Sequence, residues 1–107
     1  MNTETAMNDL QSPPRQLDGA EVLLWAMSDR ESYHTIPHGA NPLEENVVSV
    51  KAMAICRYTN GDCFYLFKCD QQWDVVSDWD TASVDEAQAI AQAHTISETI
   101  AWRNIDA

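Results

Sequence analysis

The chain has 107 residues, 45% hydrophobic and 21% charged, a balance that suits one globular domain with one core. Seventeen acidic residues against six basic ones leave a formal net charge of −11, which argues against direct nucleic-acid binding and against adhesion to anionic membranes, since both need clustered Lys and Arg. The same charge favours steering toward a basic protein partner, although acidity for solubility alone competes with that reading. No apolar run approaches the roughly 18 residues of a membrane-spanning helix. The N-terminus "MNTETAMNDLQSPPRQ" lacks the basic-then-apolar order of a secretory signal, so the expected location is cytoplasmic.

Residues 1–16 contain "SPPR" and few apolar anchors and are expected to form a flexible tail ahead of a single domain over 17–107. In "LDGAEVLLWAMSDRESYH", Asp18 and Glu21 have capping-box spacing, with Leu17 and Val22 placed as a hydrophobic staple. Val22, Leu23, Ala26 and Met27 share one helical face, which predicts a helix over 19–31. A strand through "EVLLWAM" competes, because period alone does not separate the two for a short apolar run. "TIPHGANPLEEN", with two prolines and a glycine, is expected as a loop.

"VVSVKAMAICRYT" and "CFYLFKC" flank Asn60-Gly61, a strong hairpin signal. A two-residue turn there opposes Thr59 to Asp62, Tyr58 to Cys63, Cys56 to Tyr65 and Ala54 to Phe67. One face is then charge-free: Ala52, Ala54, Cys56, Tyr58, Cys63, Tyr65, Phe67 and Cys69. The other is mixed: Lys51, Met53, Ile55, Arg57, Asp62, Phe64, Leu66 and Lys68. The charge-free face is the one expected to meet a helix. "WDVVSDW" should return as a third antiparallel strand, and a loop of Asp70, Gln71 and Gln72 would put Trp73, Val75 and Trp79 on the charge-free side.

"SVDEAQAIAQAHTISE" predicts a helix, with Ser83 and Glu86 as capping box and Val84, Ala87, Ile90, Ala91 and His94 as inward stripe. The end, "TIAWRNIDA", either prolongs that helix or returns as a short edge strand. These elements predict an α+β fold. Its sheet would be a three- to four-stranded antiparallel meander around the Asn60-Gly61 hairpin, packed against the C-terminal helix, with an N-terminal helix beside it. The run "CFYLFKCDQQWDVVSDWDTASVDEAQAIAQA" resembles a pattern in small uncharacterised bacterial proteins. There an aromatic strand leads to an acidic turn and an alanine-rich helix. That resemblance spans residues 55–93 and implies a strand–strand–helix unit but no known activity.

Candidate chemistry is sparse. Cys56, Cys63 and Cys69 lie seven and six residues apart, which does not match the short Cys pairs of zinc sites, and their placement points to packing. His34 and His38 are separated by Pro37, which disfavours a helical ligand pair. His94 falls on the inward stripe. "DWDTASVDEAQA" has Ser83 and Ala89 where a calcium loop requires Gly and Glu. The isolated glycines exclude the phosphate-loop patterns. No cofactor is therefore expected.

Between Lys68 and Arg103 there is no Lys or Arg, while Asp70, Asp74, Asp78 and Asp80 are interleaved with Trp73 and Trp79. Carboxylates around aromatic anchors suit recognition of a basic protein surface. A solvated acidic edge with both tryptophans in the core is the competing reading. The favoured function is a non-enzymatic protein-binding module, in its sharpest form an immunity or antitoxin-type inhibitor. A small thiol-dependent enzyme or redox protein using Cys63 or Cys69 with a histidine is the first alternative. A homo-oligomer through Met53, Ile55, Phe64 and Leu66 is the second.

Overall fold

The computed structural model describes residues 12–28, 33–35, 48–95 and 99–106. Residues 1–11 of the expected tail and most of the expected loop lie outside them. The described chain is α+β. Its strands are β1 (Gln16–Leu17), β2 (Ala20–Met27), β3 (Tyr33–Thr35), β4 (Val48–Val50), β5 (Ala52–Arg57), β6 (Phe64–Cys69), β7 (Val75–Thr81) and β8 (Arg103–Asn104). One helix, α1 (Val84–His94), follows β7. The main sheet is antiparallel in the order β1-β2-β5-β6-β7, with β8 also pairing β2, and β3 and β4 form a separate pair. The sheet is thus wider than the three or four strands expected.

The predicted N-terminal helix is instead β2. Asp18 and Gly19, at φ 50° and 83°, make a two-residue turn that sets Leu17 opposite Ala20. Positive φ at both positions is what an Asp-Gly hairpin turn supplies, so Asp18 turns the chain rather than capping a helix. The helical spacing of the apolar residues has a different origin. β2 is covered on both faces, and its pairing with β5 shifts between Val22 and Leu24. Ala20, Val22 and Trp25 therefore share one core cluster, while Ala26 enters the other. A strand buried on both sides loses simple alternation, which is how it imitated a helix.

The β5–β6 register is the one expected: Cys56 opposes Tyr65, Ala54 opposes Phe67 and Ala52 opposes Cys69. The turn differs. The ladder closes at Arg57 and Phe64, and Gly61 N–H donates to Tyr58 O at 3.0 Å, so the tight turn centres on Thr59-Asn60. Neither Asn60 nor Gly61 takes positive φ. The longer connection keeps the same centre of symmetry, which preserves every pair along the strands.

The two faces are covered in the opposite sense to the expectation. Met53, Ile55 and Leu66, from the mixed face, pack under Ala87 and Ala91 of α1 together with Ala26, Tyr33, Val50 and Ile100. The charges of that face stand mostly at the strand ends, so its centre is apolar. Alanines at the contact let α1 approach closely. The charge-free face curls upon itself. Ala52 and Ala54 are small, and over them Trp25 from β2 reaches Trp73 beyond β6, edge to face at 6.1 Å. Large side chains on either side of a small-residue strand can meet only if the sheet bends between them. Such an aromatic pair contributes about 0.5–1.5 kcal/mol beyond its buried area. Met53, Ile55 and Leu66 of the mixed hairpin face are buried.

α1 begins as predicted. Glu86 N–H donates to Ser83 Oγ at 3.0 Å, and the Glu86 carboxylate accepts from Ala82 N–H at 2.6 Å. Val84 and Ile90 flank the buried Ala87 and Ala91. Beyond the helix, Gln92 Oε1 accepts from Ile100 N–H at 3.0 Å, and the chain returns as β8 against Leu24 and Trp25. The strand alternative for this segment is the one realised.

Candidate functional site

The predicted acidic–aromatic set is divided by the structure. Asp70 organises the turn after β6: its Oδ1 accepts from the N–H groups of Gln72 and Asp74, each at 2.9 Å. Within that turn Trp73 N–H donates to Asp70 O at 3.1 Å, and Trp73 adopts φ 67°. A bulky residue in the left-handed region costs about 1–2 kcal/mol, offset here by burial of the indole against Trp25. Trp73 is therefore a core residue. Asp74 is exposed at the same turn.

A second register shift, beside Lys68 and Cys69, decides the rest. Val75 opposes Cys69, where the loop of Asp70, Gln71 and Gln72 would have set Trp73, and Ser77 then opposes Lys68, Asp78 opposes Phe67, Trp79 opposes Leu66 and Asp80 opposes Tyr65. The one-residue slip moves Trp79 to the helix face, where its ring meets His94 edge-on at 4.9 Å. It moves Asp78 and Asp80 to the side of Phe67 and Tyr65. Trp79 thus lies on the opposite face of β7 from the two exposed carboxylates, contrary to the expectation that it shares the charge-free face.

What the fold does assemble beside Asp78 and Asp80 is a row of aromatic rings. Tyr58 meets Tyr65 edge to face at 5.1 Å, and Tyr65 stacks near Phe67 at 6.1 Å. Tyr58 OH donates to Asp18 O at 3.1 Å, which ties the β5–β6 loop to the β1–β2 turn. The Tyr65 phenol is pushed above its usual value by burial first, and then by Asp80, Cys63, Tyr58 and Asp78. Register thus sets Asp78 and Asp80 on the same side of the sheet as Tyr65 and Phe67, with Tyr58 against Tyr65. Sequence reasoning placed the tyrosines on the charge-free face but not the acids, because nothing in "WDVVSDW" marks the bulge.

The thiols are split as well. Cys56 and Cys69 are buried, while Cys63, expected in the core, is exposed; all three are free. Burial pushes the Cys56 thiol up to about 12 and the Cys69 thiol higher still, with Asp18 adding to the first, and Cys56, Asp70, Asp18 and Asp74 to the second. Both are protonated at neutral pH and unsuited to nucleophilic work. Cys69 and the contact between Lys68 and His94 lie on opposite faces of β6, so Cys69 has no base in His94. His38 and the side chain of His34 lie outside the described residues.

Lys68 is the other unusual group. It is 1% exposed beneath α1, with Nζ 3.3 Å from His94 Nδ1, and burial lowers its ammonium to about 8. Among the described residues no group of three or more His, Cys, Asp and Glu is placed to hold a metal ion, and no helix is long and apolar enough to cross a membrane. Comparison with protein-family models, with curated proteins and with solved structures finds no significant match.

Proposed function

We propose that the chain is a non-enzymatic protein-binding module whose acidic edge engages a basic protein, in the manner of an immunity or antitoxin-type inhibitor. The observation that carries this reading is the placement of Asp78 and Asp80. Both are exposed on a strand at the edge of the sheet, on the same side as Tyr65 and near Tyr58, and no Lys or Arg occurs between Lys68 and Arg103. Carboxylates supply steering and discrimination, and tyrosines supply rigid contact area at low entropic cost. Asp74 extends the same charge toward the turn. Asp70 and Trp73 act by holding that turn.

The test is affinity capture from the lysate of the source organism at low and at high salt, followed by titration of the purified partner. A stoichiometric basic protein that weakens with salt is the expected result. Replacing Asp78 and Asp80 together by Lys should then reduce affinity at least about tenfold, as reversal of interface charge does. A partner whose affinity ignores both salt and this replacement would refute the acidic edge as the site.

A further inference from the structure

Asn60 is exposed at the third position of the tight turn between β5 and β6, and Gly61 follows it. Asn2, Asn8, Asn41, Asn46 and Asn104 precede Thr, Asp, Pro, Val and Ile, so Asn60 alone stands before a glycine. A residue without a side chain leaves its main-chain nitrogen uncrowded. That nitrogen can attack the carboxamide carbon of the preceding asparagine and close a cyclic imide.

Two contacts hold this chemistry back in the folded chain. Gly61 N–H donates to Tyr58 O at 3.0 Å. Ring closure needs that proton to leave and the Asn60–Gly61 peptide plane to rotate toward the Asn60 side chain, and the bond resists both. Tyr58 is itself fixed, because its hydroxyl donates to Asp18 O at 3.1 Å and its ring meets Tyr65 at 5.1 Å. The restraint is nevertheless local. Arg57, Tyr58, Thr59, Asn60, Asp62 and Cys63 are all exposed, and a surface turn of this kind opens without global unfolding.

We propose that Asn60 is a site of spontaneous deamidation, gated by opening of the Tyr58–Gly61 turn. In the open turn the Gly61 nitrogen bonds to Asn60 Cγ and the Cγ–Nδ2 bond breaks. The Gly61 proton passes through solvent to the departing amide, which leaves as ammonia. Water then opens the imide at either carbonyl. One product is aspartate; the other is isoaspartate, in which the main chain runs through the former side chain. Either adds a carboxylate to a chain already at −11, and isoaspartate also lengthens the loop. Asp78 and Asp80 take no part in this step.

The full chain is incubated in mildly alkaline buffer, with and without urea, and digested at intervals. Fragmentation mass spectrometry then counts asparagine, aspartate and isoaspartate at position 60. Conversion at Asn60 ahead of every other asparagine is expected in both samples. Without urea it should be slower by at least about threefold, because the turn bond must first open. Tyr58→Phe keeps the ring and removes the bond to Asp18. It should speed conversion without urea by about two- to tenfold, the range that one hydrogen bond spans, and leave the rate in urea unchanged. Gly61→Ala should slow conversion in urea as well, since its methyl group crowds the attacking nitrogen.

Absence of conversion at Asn60 in the folded chain, once the urea sample has converted, would overturn the site. Equal rates with and without urea would overturn the gate. So would a Tyr58→Phe rate without urea equal to that of the parent.

Discussion

Lys68 is buried beneath α1, and that burial gives the protein a pH dependence. The amine titrates at 10.5 when unperturbed and near 8 in the folded chain, through loss of hydration. Below about 8 both states hold the proton, and the folded state bears the cost of desolvating the ammonium. As pH rises from about 8 to 10.5 the folded chain releases the proton first, so this residue's contribution to stability improves across that window. Lys68→Met should therefore be more stable than the parent at pH 7, by on the order of 1–3 kcal/mol, and the advantage should shrink as pH approaches 10.5. Urea unfolding of both proteins at several pH values checks this; an advantage constant with pH would refute the assignment. In sequence the residue marks a mixed face suited to partial exposure or a partner, because charged side chains are rarely buried. Its real position depends on α1, whose last residue, His94, stands 26 residues away along the chain. Asp70 illustrates the same limit. An acid that accepts two main-chain bonds and an acid that meets a partner look alike in sequence, and only the turn distinguishes them.

The elements differ in how local their causes are. α1 was legible from "SVDEAQAIAQAH" because its cap, its first-turn acids and its apolar stripe all lie within the segment. The β5–β6 pairing was legible because alternation and a central turn signal agree on one register. The β1–β2 hairpin was missed although Asp18-Gly19 is itself a turn signal, because the apolar run after it also fitted a helix. Gly19 and Gly61 make opposite predictions. Gly19→Ala forces a side chain into φ +83° and should cost about 1–2 kcal/mol. Gly61 has ordinary φ, and an added Cβ would meet only Tyr58 at 3.5 Å, so Gly61→Ala should be neutral or stabilise by up to about 1 kcal/mol. Thermal unfolding of the two variants separates the turns; equal destabilisation would contradict the backbone conformations described here.

At the scale of the molecule, the net charge of −11 acts on folding as well as on recognition. Mutual repulsion among the acids raises the free energy of the compact state, and salt screens it over about 10 Å at 0.1 M. The melting temperature should therefore rise with sodium chloride, and an unchanged or falling value would show that the acids are not in net repulsion. The exposed ion pair of Arg15 with Asp106 opposes this trend only weakly. The class of the fold, its helix, its central hairpin register and its charge imbalance were set by the sequence alone, because each arises from neighbouring residues or from composition. Tertiary structure decided which sheet face received the helix, that Lys68 was buried, and that Asp78 and Asp80 joined Tyr65 instead of Trp79. Those outcomes hang on single-residue register shifts in β2 and beside Lys68 and Cys69. One extra residue reverses every side chain beyond it, and whether a strand accepts that residue depends on what packs against both of its faces.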